Sequence, residues 1–240
     1  MIETINLSKT FGPLVAVDDV SFMVKRGEVL GFLGPNGAGK STTMKMLSGF
    51  LPPSGGSAHI CGIDVGHDPI AAKSHIGYLP EGAPLYGDMT PAQLLDFVTR
   101  VRGLGRIERK RRTEAAVETV QLHEVLHRPI DTLSKGFTRR VALAQAIVHD
   151  PDVLILDEPT DGLDPNQKHE VRALLRALSG NKAIIVSTHI LEEVDAVCTR
   201  AIIIARGKIL ADETPRNLRA QHGHASLDDV FRAITLGKSA

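Results

Sequence analysis

Eight residues, Gly34-Pro35-Asn36-Gly37-Ala38-Gly39-Lys40-Ser41, restrict the possible folds of this chain more than any other stretch. They match G-x-x-x-x-G-K-[ST] in full. They follow Val29 to Leu33, a short, wholly apolar run of the kind buried in a parallel sheet. They lead into a helix expected from about Gly39 to Phe50, which Pro52-Pro53-Ser54-Gly55-Gly56 must end. Such a strand–loop–helix unit presents curled backbone N–H groups and a helix dipole to an anion. Lys40 is placed to bridge the β- and γ-phosphates of a nucleotide, the Ser41 hydroxyl to ligate Mg²⁺, and Thr42 to reach the α-phosphate.

The rest of the pattern predicts an α/β chain. Ile2 to Ser8 and Val15 to Val24 read as antiparallel strands with one wet face. Ile76 to Leu79, Val153 to Leu156, Ala183 to Val186 and Ala201 to Ala205 read as further buried strands. Helices are expected at Pro91 to Arg102 behind a Thr90 cap, Ile107 to Val120, Phe137 to His149, Asn166 to Leu178 and Leu191 to Val197. The tail carries Lys208 to Ala211, a short helix near Pro215 to Ala220, and Leu227 to Ile234. Apolar strands alternating with helices imply a parallel sheet, with the helical stretch between as an insertion.

With 240 residues and an apolar content of 42%, the chain suits one domain with a real core. Lys+Arg 28 against Asp+Glu 28 argues against a general polyanion binder. The basic run Arg100, Arg102, Arg106, Arg109, Lys110, Arg111, Arg112 has no interleaved aromatics and reads as a solvated helix face. Cys61 and Cys198 fit no paired pattern and read as free buried thiols of a reducing compartment. The start of the chain has no signal-peptide pattern, and no apolar run is long enough to span a bilayer. The expected location is cytoplasmic, with any membrane work done through a partner.

Two further features carry chemistry. Asp157 and Glu158 close the strand Val153 to Leu156, where ligands of open α/β sheets bind. One carboxylate there can hold Mg²⁺ and the other can orient and deprotonate an attacking water; adjacent acids on an extended chain face opposite ways and divide those roles. Leu133-Ser134-Lys135-Gly136-Phe137 opens another helix and is a second anion cradle. One nucleotide needs one cradle, so the second suits a nucleotide held by another copy.

With these residues in place, the chain resembles the ATP-binding subunit of an ABC transporter over about residues 1–235. The resemblance implies a P-loop NTPase fold with a RecA-like parallel core sheet, an antiparallel β subdomain and an inserted α-helical subdomain. Residues 1–83 and 151–212 would form the catalytic core, 84–150 the helical subdomain and 213–240 a C-terminal helical extension of one ABC ATPase domain. Leu133 to Phe137 stands at the family signature, whose commonest form ends in Gly-Gly-Gln; Lys135 and Phe137 depart from it. Gly162-Leu163-Asp164 looks like the D-loop, and Asp161 stands where many relatives have Ser. His189 looks like the switch histidine that contacts the γ-phosphate, and Phe11 sits where the family stacks an aromatic on adenine. Glu81 replaces the usual Gln of the Q-loop, where a carboxylate still suits Mg²⁺ and can hydrogen-bond a water.

The resemblance implies ATP hydrolysis with Mg²⁺, catalysed through Glu158, His189, Lys40 and Glu81, with metal ligands Ser41, Asp157 and Glu81. It implies a homodimer or heterodimer of ATP-binding subunits docked on transmembrane permease subunits, and no nucleic acid. Gly77 to Tyr86, Leu133 to Pro165 and Ser226 to Phe231 resemble the exporter-type branch that includes drug-efflux and gliding-motility ATP-binding proteins. The alternatives are a soluble ABC ATPase acting on nucleic acid or ribosomes, and a non-hydrolysing regulatory module.

Overall fold

A computed structural model describes residues 1–221 and 226–236. In chain order the elements are β1 (Ile2–Phe11), β2 (Leu14–Val24), β3 (Val29–Leu33), α1 (Lys40–Leu47), β4 (Gly55–Ile60), β5 (Ile63–Asp64), α2 (Pro69–Ser74) and β6 (Ile76–Leu79). Then follow α3 (Pro91–Val101), α4 (Arg106–Val120), α5 (Lys135–Ile147), β7 (Val153–Asp157), α6 (Pro165–Ser179), β8 (Ala183–Thr188) and α7 (Leu191–Val197). The last are β9 (Arg200–Ala205), β10 (Lys208–Glu213), α8 (Pro215–Gln221) and α9 (Leu227–Leu236). Residues 222–225 and 237–240 of the expected C-terminal extension lie outside the described part.

The strands make two sheets. One is antiparallel, in the order β2-β1-β4-β5; the other runs β10-β9-β3-β8-β7-β6. In the second sheet β9, β3, β8, β7 and β6 are parallel and β10 is an antiparallel edge. Alternate residues of the central strands feed different cores. In β7, Leu154 and Leu156 pack with α3 to α6, whereas Val153 and Ile155 pack with α1 and the antiparallel sheet. Every residue of β7 and β8 is buried. At roughly 1.5–3 kcal/mol per buried large aliphatic side chain, this sandwich makes the sheet a rigid platform. The helical segment shares its core with the sheet, because Leu94, Leu95, Val117 and Val141 pack with Leu154 and Ile184.

The structure departs from the sequence expectations in several places. α1 stops at Leu47 rather than Phe50, because Gly49 takes φ 65 and lets Phe50 N–H reach back to Lys45 O at 2.9 Å. That is a Schellman stop, with Gly49 N–H on Met46 O as its second bond. Simple alternation fails along β1: Asn6 has φ 49, the register with β2 shifts between Thr4 and Leu7, and Ile5 turns outward while Thr4 is buried. The basic run is the exposed face expected, with Arg109 and Arg112 half-buried, and it is laced with surface pairs. Arg100 pairs with Asp96, Arg111 and Arg112 with Glu108, and Arg102 donates to the carbonyls of Lys73 and Ile76. Cys61 and Cys198 are free, and they are half-buried rather than buried. No helix among the described residues is long and apolar enough to cross a membrane.

Candidate nucleotide site

Four loops leave the carboxyl edge of four neighbouring strands, β3, β8, β7 and β6. Register fixes their relation: Leu33 pairs with Thr188, Asp157 with Ser187, and Leu79 with Leu156. The phosphate loop therefore lies beside His189, then Asp157 and Glu158, then Glu81. This is the crevice position at which α/β sheets bind ligands.

The loop after β3 is shaped by close contacts. Gly39 has φ 106, and a Cβ there would fall 2.5 Å from the carbonyl of Ala16. Only glycine admits this turn into α1. A cavity of about 390 Å³ opens over the loop, lined by Phe11, Leu14, Ala16, Asn36, Gly37, Ala38, Gly39, Lys40, Ser41, Thr42, Glu81 and Glu158. Gly34 and Pro35 lie beneath, and their carbonyls accept from Lys40 Nζ at 2.8 and 3.3 Å. Phe11 is half-exposed at the cavity edge.

Lys40 Nζ also lies 3.8 Å from Glu158 Oε1, with both side chains nine-tenths buried or more. Glu158 Oε2 lies 2.9 Å from His189 Nδ1. Glu158 is thus held between a lysine and a histidine. Its backbone is not extended: φ is 50, ahead of Pro159, and its N–H donates to Ser187 O at 3.0 Å. The two acids diverge because of this left-handed turn, and not through strand alternation as the sequence suggested.

Asp157 is fully buried. Its Oδ1 accepts from Ser187 Oγ, and its Oδ2 has no hydrogen-bond partner among the described residues. A buried carboxylate oxygen left open beside a phosphate loop suits a hard cation or a water on one. With the Ser41 hydroxyl and Glu81 in the same crevice, the oxygen-only donor set fits Mg²⁺. Burial raises the Tyr78 hydroxyl well above its usual range, helped by the charges of Asp157 and Glu81, so it stays protonated.

Leu133 to Phe137 stands apart. Ser134 caps α5 by accepting from Phe137 N–H, Ser134 and Lys135 are exposed, and none of the five lines the cavity. Gly136 is buried against Gln167, whose amide would meet an added Cβ at 2.4 Å. Leu163 is buried, Gly162 is exposed near Lys135, and Asp164 caps α6 in a capping box with Gln167. The single chain therefore gathers the phosphate loop, Asp157, Glu158, His189 and Glu81, and leaves the 133–137 stretch and residues 162–164 outside.

Sequence reasoning missed one network. Glu193, on the first turn of α7, is 4% exposed and accepts from Thr160 Oγ1 and from Thr188 Oγ1 at 2.8 Å. It ties the loop after β7 to the end of β8, and burial pushes its carboxyl upward. Arg139 of α5 likewise donates to Asp161 O at 3.2 Å. The acidic pair Glu192-Glu193 gives no local signal, since acids are ordinary in a first helical turn.

Fold and crevice together define the P-loop nucleotide-binding fold. Residues 17–161 match the ABC transporter family. The YbhF ABC transporter ATP-binding protein of Escherichia coli K12 is 39% identical over 230 residues, 95% of this chain. The chain spans 40% of that relative's length. The linearmycin resistance ATP-binding protein LnrL of Bacillus subtilis is 36% identical over 93% of this chain and 72% of its own length. A solved ATP-binding subunit of an ABC transporter superposes with a TM-score of 0.89 at 31% identity, covering 98% of this chain and 99% of that one. The chain belongs to the ABC transporter family.

Proposed function

We propose that the chain is the ATP-hydrolysing subunit of a membrane exporter and works as a dimer, homo- or hetero-, by closing on ATP and reopening after hydrolysis. One observation carries this reading: a near-complete phosphate site in one chain, with a second helix start, exposed at Ser134 and Lys135, that does not line it. In a two-fold arrangement each ATP lies between residues 34–42 of one subunit and Ser134/Gly136 of the other. Phe11 stacks on the base. Backbone N–H groups of Gly37 to Lys40 cradle phosphate oxygens, Ser41 and Thr42 add hydroxyls, and Lys40 bridges the terminal phosphates.

Glu158 takes a proton from the attacking water, with His189 holding its other oxygen and contacting the γ-phosphate. Ser41, Asp157 and Glu81 would hold Mg²⁺, which supplies charge neutralisation on the β- and γ-phosphates. Gly162 to Asp164 lie at the seam between subunits. Loss of the γ-phosphate removes the bridge, because ATP favours the closed state only by its differential affinity for it.

The permease partner docks in the groove between β6 and the ends of α1, α2 and α3. This apolar groove of about 510 Å³ runs past Phe50, Ile70, Tyr78 and Val101. Phe50 is 75% exposed, Ile70 84% and Val101 71%, more apolar surface than a lone chain usually leaves wet. Such docking places the chain at the inner face of the membrane, in the cytoplasm. The LnrL name, with its reference to resistance, supports export. The test is size-exclusion chromatography of Glu158→Gln with Mg²⁺-free ATP: a dimer supports the shared site, and monomer alone refutes it. Co-purification from membranes with spanning subunits separates transport from a ribosomal or nucleic-acid role.

A further inference from the structure

We propose that Cys61, His75 and Asp152 form a binding site for a borderline divalent transition-metal ion, with Zn²⁺ the best match. One ligand atom from each lies within 4.8 Å of the other two. The three come from separate parts of the chain. Cys61 follows β4 in the turn to β5, His75 follows α2, and Asp152 precedes β7. His75 and Asp152 enter the paired starts of β6 and β7, where Ile76 lies opposite Val153. His75 Nδ1 is 2.8 Å from Asp152 Oδ2. The phosphate loop leaves the opposite edge of the sheet, and a five-residue strand separates the two edges by about 17 Å.

The donor chemistry is selective. A thiolate, an imidazole and a carboxylate together suit Zn²⁺ and not the all-oxygen ions Mg²⁺ or Ca²⁺. Two anionic ligands and one neutral ligand balance a divalent charge. Arg26 donates to Asp152 Oδ1 at 3.1 Å and orients the carboxylate from outside, and the metal would replace the hydrogen bond between Asp152 Oδ2 and His75 Nδ1. Zinc–ligand bonds of about 2.0–2.3 Å place ligand atoms roughly 3.5 Å apart, so closure needs side-chain shifts of about an ångström. All three residues are half-buried, which leaves a fourth position for water.

Cys61 packs against the core beneath the antiparallel sheet, but its backbone position in the turn does not favour cysteine. Cys61 has φ 53 and Gly62 φ 84, a two-residue turn that favours Asn-Gly, where a cysteine sits at a cost. Burial also raises the Cys61 thiol above its usual value, and coordination would release that proton to solvent. A bound ion would pin the β4–β5 turn of the antiparallel sheet to the start of two core strands. It would act as a cross-link between the two sheets, away from the hydrolytic crevice.

The test uses the untagged full chain, reduced, metal-free and without nucleotide, titrated with Co²⁺ and then Zn²⁺. The expected result is one equivalent of Co²⁺ bound with a near-ultraviolet thiolate-to-cobalt band that Zn²⁺ abolishes. The band disappears in Cys61→Ser and persists in Cys198→Ser. Zn²⁺ at about a hundredfold over its Kd raises the Tm of the wild type by roughly 5–10 °C, and that rise is absent in His75→Ala measured against its own metal-free Tm. No thiolate band in the wild type, a band retained in Cys61→Ser, or a Zn²⁺ Kd weaker than about 100 µM overturns the proposal.

Discussion

Replacing Glu158 by Gln should tighten ATP binding while sharply lowering turnover. Glu158 Oε1 lies 3.8 Å from Lys40 Nζ in a nearly dry pair. At an effective dielectric constant of about 20, unit charges about 4 Å apart attract by roughly 4 kcal/mol. An incoming γ-phosphate must compete for that ammonium and also approaches the carboxylate. Gln keeps the length and a partner for His189 Nδ1, and removes the charge. Part of the 4 kcal/mol is lost to solvent relaxation, and Lys40 keeps its bonds to Gly34 O and Pro35 O. A net gain of about 1.5–3 kcal/mol, or roughly tenfold to over a hundredfold in Kd, is expected. The loss of the general base lowers turnover by about a hundredfold to ten-thousandfold. Calorimetric titration with Mg²⁺-free ATP measures the first effect, and phosphate release the second. A folded Glu158→Gln that binds ATP no more tightly than the wild type refutes the competition between Glu158 and phosphate for Lys40.

Four further outcomes follow from named contacts. Lys40→Ala should lose both ATP binding and hydrolysis, and an unchanged ATP Kd in titration would remove Lys40 from the site. Gly34→Ala places a Cβ 2.4 Å from Ile204 O and 2.8 Å from Ala38 Cβ, so its Tm should fall by the equivalent of about 1–3 kcal/mol, with weakened ATP binding. Glu193→Ala strands the hydroxyls of Thr160 and Thr188 and should lower kcat about tenfold or more with little change in KM; equal effects on both would make Glu193 merely structural. His149 donates through Nε2 to Ile76 O, has a buried, unpartnered Nδ1, and is held by burial at a pKa of about 4. Its contribution is complete above about pH 6.5, the unfolded value, and falls away as pH drops through 6.5 to 4, by about 3 kcal/mol in all. Urea unfolding at pH 7 and pH 4.5 should show this loss in the wild type and a smaller one in His149→Gln.

The parallel sheet was legible because Val29 to Leu33, Val153 to Leu156 and Ala183 to Val186 are buried on both faces and read as unbroken apolar runs. β4 and β5 were not, since Gly55-Gly56-Ser57-Ala58-His59-Ile60 carries turn residues and becomes a strand only through pairing with β1. α2 was missed although Asp68 and Pro69 are a cap and first-turn pair, because six residues hold too few apolar positions to show a period. The phosphate loop and Asp157–Glu158 stood out because their chemistry is local. The Glu193 clamp and the Cys61, His75 and Asp152 grouping did not, since each depends on partners brought together only by the sheet.

The position of Glu158 links binding to chemistry. A non-glycine residue at φ 50 ahead of a proline is unfavourable, and it persists because its N–H is fixed to Ser187 O and its side chain bridges Lys40 and His189. On the proposed reading, phosphate takes Lys40 from Glu158 when ATP enters. The carboxylate then keeps only His189 and has one oxygen free, at the point where a water would attack. On that reading nucleotide binding itself frees the base. The second cradle at Ser134 and Gly136 then has a distinct task. It does not line the cavity of its own chain, and on the proposed reading it adds donors when a second subunit brings it to a nucleotide already engaged by Lys40.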